Sequence, residues 1–381
     1  MNKKYIVLFS LLLVSVVTLL CIVKGGKTRN AESTQNNNPN TSVLPNTDVV
    51  LPDEDIYYEG SKPSDQDAIK TVPTNINPLT GLGDMSEEGM GSRPVAVMIN
   101  NVKECLPQYG ISKADIIFEI PVEGNLTRLM ALYADYTQVP YICSVRSCRE
   151  YFPAFSEGFD AIYVCWGGSK GYDTYLKNLG TTVFNGFNNT GGLFGRDKER
   201  LDMGYAKEHT SYFDGRGLAD AVKRLNVRIN IEADKQGEFF EFYDYFQTVK
   251  PSDRECVKLH INFGANSATF IYDENTKLYF KEINGNKQMD GVTGEQLSFT
   301  NVFLLETSVT MNADGLHKDV LWKVENGKGY YLSNGCMKEI YWSKTSESAP
   351  LKFYDENGKE LLLNRGKTYI GITNAGRSTF E

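Results

Sequence analysis

Histidine is scarce in this chain: three among 381 residues, His209, His260 and His317, with no two close in sequence. There is no Cys-x-x-Cys either, so a zinc site would need long-range convergence and no metal is expected. Basic charge is not in excess. Forty Lys and Arg against 48 Asp and Glu give a net charge of -8, which removes nucleic acid as a main ligand, because duplex binding draws on a basic surface. Cofactor fingerprints are missing too. The loop NGFNNTGGLFGR (185–196) has the composition of a phosphate cradle but neither a P-loop lysine followed by Ser or Thr nor a G-x-G-x-x-G, so no cofactor is expected. With no triad or metal set in view, no catalytic residue is assigned.

The N-terminus carries more information. Lys3 and Lys4 precede an uncharged, almost wholly apolar run (5–23), closed by Lys24 and Lys27. At helical rise that run reaches about 28 Å, nearly the hydrocarbon thickness of a bilayer. Secretory signals and uncleaved anchors both begin this way. Residues 1–24 therefore read as a membrane anchor or signal segment, either a single uncleaved span or a segment ending at Cys21 as a lipid-attachment residue. Both place the body on the extracytoplasmic face of the cell membrane. Residues 25–76 are polar and rich in Pro, Asn and Ser, a composition that cannot bury enough apolar surface to offset chain entropy. They read as a disordered tether with an average reach of roughly 40 Å.

The remainder has the apolar content for a packed core, with 41% hydrophobic and 12% aromatic residues over the whole chain. The expected class is α+β: a mixed α/β domain (77–249) followed by a smaller, mostly antiparallel β domain (250–381). β-branched and apolar runs predict strands at 93–101, 114–120, 126–134, 142–145 and 161–166, and helices near 149–156, 171–179 and 217–225. In the second domain, runs such as 258–263, 267–272, 277–282, 301–307 and 320–324 are separated by Gly, Asn and Asp turns, which implies a small antiparallel sheet or barrel.

The most specialised chemistry lies in YICSVRSCREYFPAFSEGFDAIYVCWGGS (141–169). Arginine offers a planar fork of donors for carboxylate or phosphate, and glycines after a strand expose backbone N–H groups. Arg128, Arg146 and Arg149, with Ser147, Gly167, Gly168 and Ser169, therefore form a candidate anion pocket, to which the strand-end residues Asn100 and Asn101 and the nearby His209 are added. The bland alternative is that these arginines pair with structural acids. Glu119 and Glu123 read as a solvated rim rather than a carboxylate pair. Thr210 or Ser211, after His209, reads as a helix cap. The six cysteines after Cys21 are even in number, which permits disulfides, including one from Cys143 to Cys148, but their apolar neighbours equally suit reduced core residues.

VRSCREYF (145–152) followed by DAIYVCWGGS (160–169), with NPLTGL (77–82), RPVAVMINN (93–101), ADIIFE (114–119), TRLMALY (127–133), GKGYYLSNG (327–335) and LNRGKTYIGI (363–372), resembles the YerB-like lipoproteins of Gram-positive bacteria. The resemblance spans about 77–373. It implies a two-domain, membrane-tethered extracytoplasmic protein and supplies no catalytic mechanism. Two positions depart from the family's pattern. Thr18, Leu19 and Leu20 stand before Cys21, and Gln288-Met289-Asp290 follows the INGN turn where a His-x-Asp is expected, which argues against catalysis in that half. The function expected is a non-catalytic binding or scaffold protein of the cell envelope, contacting the membrane through its N-terminus and an envelope protein or an anionic glycan or lipid through its body. The alternative is a phosphotransferase-like enzyme acting on polyprenyl-linked or phosphorylated envelope glycan precursors, with Arg128, Arg146 and Arg149 clamping a pyrophosphate.

Overall fold

Alternation along the strands decides the architecture. In VAVMIN, Val95, Val97 and Ile99 enter one apolar layer while Ala96 and Met98 enter another, because successive strand residues face opposite sides. All of this strand, β1 (Val95–Asn100), is buried, so its sheet is covered on both faces. The computed structural model describes residues 71–381 apart from 234 and 236–238. The apolar run 5–23, Cys21 and nearly all of the tether lie outside the described residues. Among those described, no helix is long and apolar enough to cross a membrane.

The central sheet continues with β2 (Ile116–Pro121), β3 (Thr127–Tyr133), β4 (Ile162–Cys165), β5 (Val183–Asn185), β6 (Asn301–Glu306), β7 (Val324–Ser333), β8 (Cys336–Lys344), β9 (Lys352–Tyr354) and β10 (Thr368–Thr373). Their order in space is β9-β8-β7-β6-β10-β2-β3-β1-β4-β5. β10 runs parallel to β6 on one side and to β2 on the other, so a strand from near the end of the chain joins the two halves edge to edge. A six-stranded sheet, from Lys258–Asn262, Ser267–Asp273, Leu278–Ile283, Asn286–Lys287, Ser298–Phe299 and Ser378–Phe380, covers one face through Leu259, Ile261, Phe270 and Tyr279.

Four short α-helices occur among the described residues: α1 (Tyr151–Glu157), α2 (Tyr172–Leu179), α3 (Lys198–Asp202) and α4 (Leu218–Arg224). α1 and α2 cover the other face with Phe152, Phe155 and Leu176. The buried residues of both apolar layers run from Leu79 to Ile372, and Asp67–Glu381 forms one compact unit with its own core.

The mixed α/β reading of the first half holds only in part, since β structure dominates and the α-helices run only five to eight residues. Glycine sets the limit of one of them: α2 ends at Gly180, which takes a left-handed φ of 74° that a side chain resists. The second half is β-rich and largely antiparallel as expected, but it is not a free-standing sheet or barrel, because β6 to β10 extend the sheet of the first half. Residues 320–324 are not one strand. Lys318–Val320 pairs with Val309–Met311 in a separate hairpin, and Val324 opens β7.

Candidate functional site

β1 and β4 are parallel partners only from Val95 to Val97 and from Ile162 to Val164. Beyond that point they diverge, and the segment 145–148 enters the gap. Arg146 N donates to Met98 O at 2.9 Å, Trp166 N donates to Arg146 O at 3.0 Å, and Cys148 N donates to Gly167 O at 2.8 Å. The fork lies beyond the C-terminal ends of two parallel strands, where open α/β sheets gather ligand groups. β3 runs antiparallel to β1, and its Arg128 stands opposite Asn100 at the same end. Gly167 turns the chain with φ of 70°, and a Cβ there would strike the Phe187 ring. The structure thus brings Asn100, Arg128, Arg146, Ser147, Gly167 and Gly168 to one place.

A turn at Lys207–His209 closes the fork. The segment after His209 does not lead into a helix as read from sequence: Lys207–His209 is a single 3-10 turn, and Ser211–Asp214 is a strand, with Ser211 Oγ donating to Val145 O rather than capping. The end of such a turn leaves carbonyls without partners. Three arginines reach three successive carbonyls here: Arg196 donates at 2.7 Å to Lys207 O, which also accepts from Thr210 N and Oγ1, Arg146 to Glu208 O at 3.3 Å and Arg200 to His209 O at 3.3 Å. Arg200 is fully buried and also donates to Cys105 O and Pro107 O, so it is structural. Arg146 and Arg196 are half-buried, and neither has a carboxylate within 4 Å among the described residues. Burial, then the charge of Arg128 and more weakly of Arg196, pulls the pKa of Arg146 down, with Glu208 opposing.

His209 meets Asn100 across the fork, with Nδ1 and Nδ2 3.0 Å apart. The amide donates, so Nδ1 accepts and the ring proton sits on Nε2. Desolvation lowers the pKa of His209 from its usual 6.5; Glu208 and Glu104 oppose this, and Arg146 and Arg200 reinforce it. A histidine whose folded pKa lies below its unfolded value contributes stability that is complete above the unfolded pKa and is lost as pH falls through the folded one. Wild type should therefore lose melting temperature relative to His209→Asn as pH falls from about 7 to about 5, by about a degree or two. A difference that stays flat across that window would contradict this environment for the ring.

The other two arginines are engaged. Arg128, 5% exposed, donates to Ser147 O at 2.6 Å and to both oxygens of Glu123 at 3.2 and 3.3 Å. Arg149 pairs with the same carboxylate and donates to Cys148 O. Glu123 is thus not a solvated rim residue, because two buried guanidiniums share it. Ser169 lies at the start of the turn into α2, where its carbonyl accepts from Tyr172 N.

Asn101 belongs elsewhere. Its Nδ2 donates to Glu119 Oε1 at 2.9 Å, and its Oδ1 accepts from Gln108 and Gln288 at 3.1 and 3.2 Å. Glu119, also read as a rim residue, is 0% exposed and lies 3.1 Å from the equally buried Lys281 of the covering sheet. Its oxygens accept further bonds from Thr127 Oγ1 at 2.8 Å and Tyr369 OH at 2.9 Å, and Lys281 Nζ donates to Gln288 Oε1 at 2.6 Å. Gly371, opposite Glu119 on β10, carries no side chain into this space. Gln288, where a histidine was expected, completes a closed set of donors and acceptors that ties the halves together and is sealed from solvent.

The six described cysteines are buried and free, so no Cys143–Cys148 bridge closes over Arg146. Burial pushes the Cys105, Cys143 and Cys148 thiols up to about 12, which leaves them protonated and poor nucleophiles at neutral pH. Among the described residues, no group of three His, Cys, Asp or Glu side chains is arranged to hold a metal ion.

Comparison with known proteins places this architecture. The family model described as "Protein of unknown function (DUF3048) N-terminal domain" matches residues 79–228, and the corresponding C-terminal domain model matches residues 259–370. The chain is 31% identical over 317 residues to "Putative lipoprotein YerB" of Bacillus subtilis (strain 168), covering 81% of this chain and 89% of that protein. The crystal structure of the YerB protein from Bacillus subtilis is similar with a TM-score of 0.69 and 28% identity, over 80% of this chain and 99% of that one. The chain therefore belongs to the DUF3048 family of YerB-like proteins.

Proposed function

We propose that this chain is a membrane-attached extracytoplasmic binding protein of the cell envelope, and that it contacts an anionic group of its partner at the fork between β1 and β4. The lipoprotein label in the name of the Bacillus subtilis relative supports the attachment, for which Cys21 is the residue available in the N-terminal apolar run. One observation carries the anion contact: Arg146 and Arg196 are half-buried and donate to successive carbonyls of one turn, each giving a single hydrogen bond, without a carboxylate partner among the described residues. Most donors of both guanidinium forks remain open, and the two like charges weaken each other until an anion joins them. The phosphotransferase alternative loses ground, because two of the three arginines it assigns to a pyrophosphate are already held by Glu123.

The test is a melting curve of Asp67–Glu381 with sulfate and with pyrophosphate. A ligand that binds the native state at about 100 times its Kd adds about 2.7 kcal/mol of stability. Wild type should show a saturable rise in melting temperature. Arg146→Ala should lose about tenfold in anion affinity while its own melting temperature, without anion, changes little, because the deleted group makes one long hydrogen bond. Equal anion-induced rises in wild type and variant would remove the fork from consideration.

A further inference from the structure

A second opening lies away from the fork, at the junction of the two halves. A cavity of about 620 Å³ separates the stretch Lys103 to Pro107 from the hairpin that follows Ile283. That volume suits a small ligand rather than a bridging water. Leu106, Pro107, Ile283 and Met289 supply apolar lining, and Lys103 and Lys287 stand among the lining residues from opposite walls. Both lysines are exposed, and neither takes part in an ion pair or a side-chain hydrogen bond among the described residues.

Both walls are held in place before any ligand arrives. Arg200 donates to Cys105 O and Pro107 O, and Tyr205 OH donates to Leu106 O at 2.9 Å. On the other side Gln288 is fixed by Lys281 and Asn101. Such preorganisation reduces the entropy lost on binding. No aromatic ring lines the cavity for a sugar to stack on. Ammonium groups beside an aliphatic lining select an anion with a hydrocarbon body.

We propose that this cavity binds an anionic amphiphile, an aliphatic chain ending in a phosphate or carboxylate, with the head near Lys103 and Lys287 and the chain over Leu106, Pro107, Ile283 and Met289. The ligand touches both halves of the chain and stabilises their junction. This site shares no lining residue with the fork and stands independently of the anion contact there.

The experiment titrates Asp67–Glu381 with dodecyl phosphate below its critical micelle concentration, by calorimetry and by melting temperature. Saturable binding is expected, with dodecanoate binding comparably if any anionic head suffices and more weakly if phosphate is preferred. Dodecanol and inorganic phosphate should each bind more weakly than dodecyl phosphate. The pair Lys103→Glu and Lys287→Glu, on exposed positions that leave the core untouched, should reduce affinity about tenfold or more. Met289→Asp should also reduce it, whereas Lys323→Glu, which reverses an exposed charge outside the lining, should leave it unchanged. Absence of saturable binding, dodecanol binding as tightly as dodecyl phosphate, indifference to the double charge reversal, or loss of binding in Lys323→Glu would each overturn the assignment.

Discussion

Lys281→Met is expected to lower the unfolding free energy of Asp67–Glu381 by about 3–5 kcal/mol, read as a fall in urea midpoint at unchanged slope. The ammonium and the Glu119 carboxylate are both 0% exposed, so removing one leaves the other charged with no route to water. Asn101, Thr127 and Tyr369 still donate to the carboxylate, which softens the loss without cancelling a full charge. Gln288 also loses the donor to its Oε1, and that amide then carries an unmet acceptor inside the core. The double variant Glu119→Gln with Lys281→Met should recover part of the loss, because no isolated charge remains. By contrast, the exposed pair Lys198–Asp202 should contribute well under about 1 kcal/mol. A single-variant loss as small as that of this surface pair would mean that water reaches Lys281.

The strands were legible because each carries its own signal: VAVMIN, IIFEIP and TRLMALY hold β-branched and apolar residues at nearly every position, as a sheet covered on both faces requires. Glu119 and Lys281 were misjudged or passed over for a related reason. In LYFKEI, buried and partly buried positions alternate, and Lys281 falls on the same face as Tyr279 and Ile283, so its parity already marked it as inward. Seeing that a charge at such a position is satisfied needs a partner 162 residues away, and nothing local supplies it. The arginines show the same limit. Their clustering in 128–149 marked a specialised region, but only the fold separates Arg128 and Arg149, held by Glu123, from Arg146, which makes no ion pair among the described residues. Arg196, the other open guanidinium, lay in a loop considered for its glycines. Arg200 carried no local signal, because the turn carbonyls it caps come beside it only in the fold.

Glu123→Gln is expected to move stability and anion binding in opposite directions. The carboxylate is fixed from behind: residue 123 bridges to His317 in the outer hairpin, and Lys318 N donates to Val122 O at 2.7 Å, so the side chain cannot swing far from its two arginines. An amide of the same shape keeps part of the hydrogen bonding but removes the charge that neutralises Arg128 and Arg149. Two buried guanidiniums then face each other at the base of the fork, and unfolding free energy should fall by about 2–3 kcal/mol, less than for a fully buried pair because Glu123 is itself 22% exposed. The same change adds net positive charge beside Arg146, whose pKa is already lowered by burial and then by Arg128. Sulfate or pyrophosphate should therefore bind several-fold more tightly to Glu123→Gln than to wild type and should restore much of the lost melting temperature. If the variant is destabilised but anions bind no better, the buried pair serves packing alone and the fork is not coupled to it; if stability is unchanged, the arginines hold their places through Ser147 O and Cys148 O, and the carboxylate between them is dispensable.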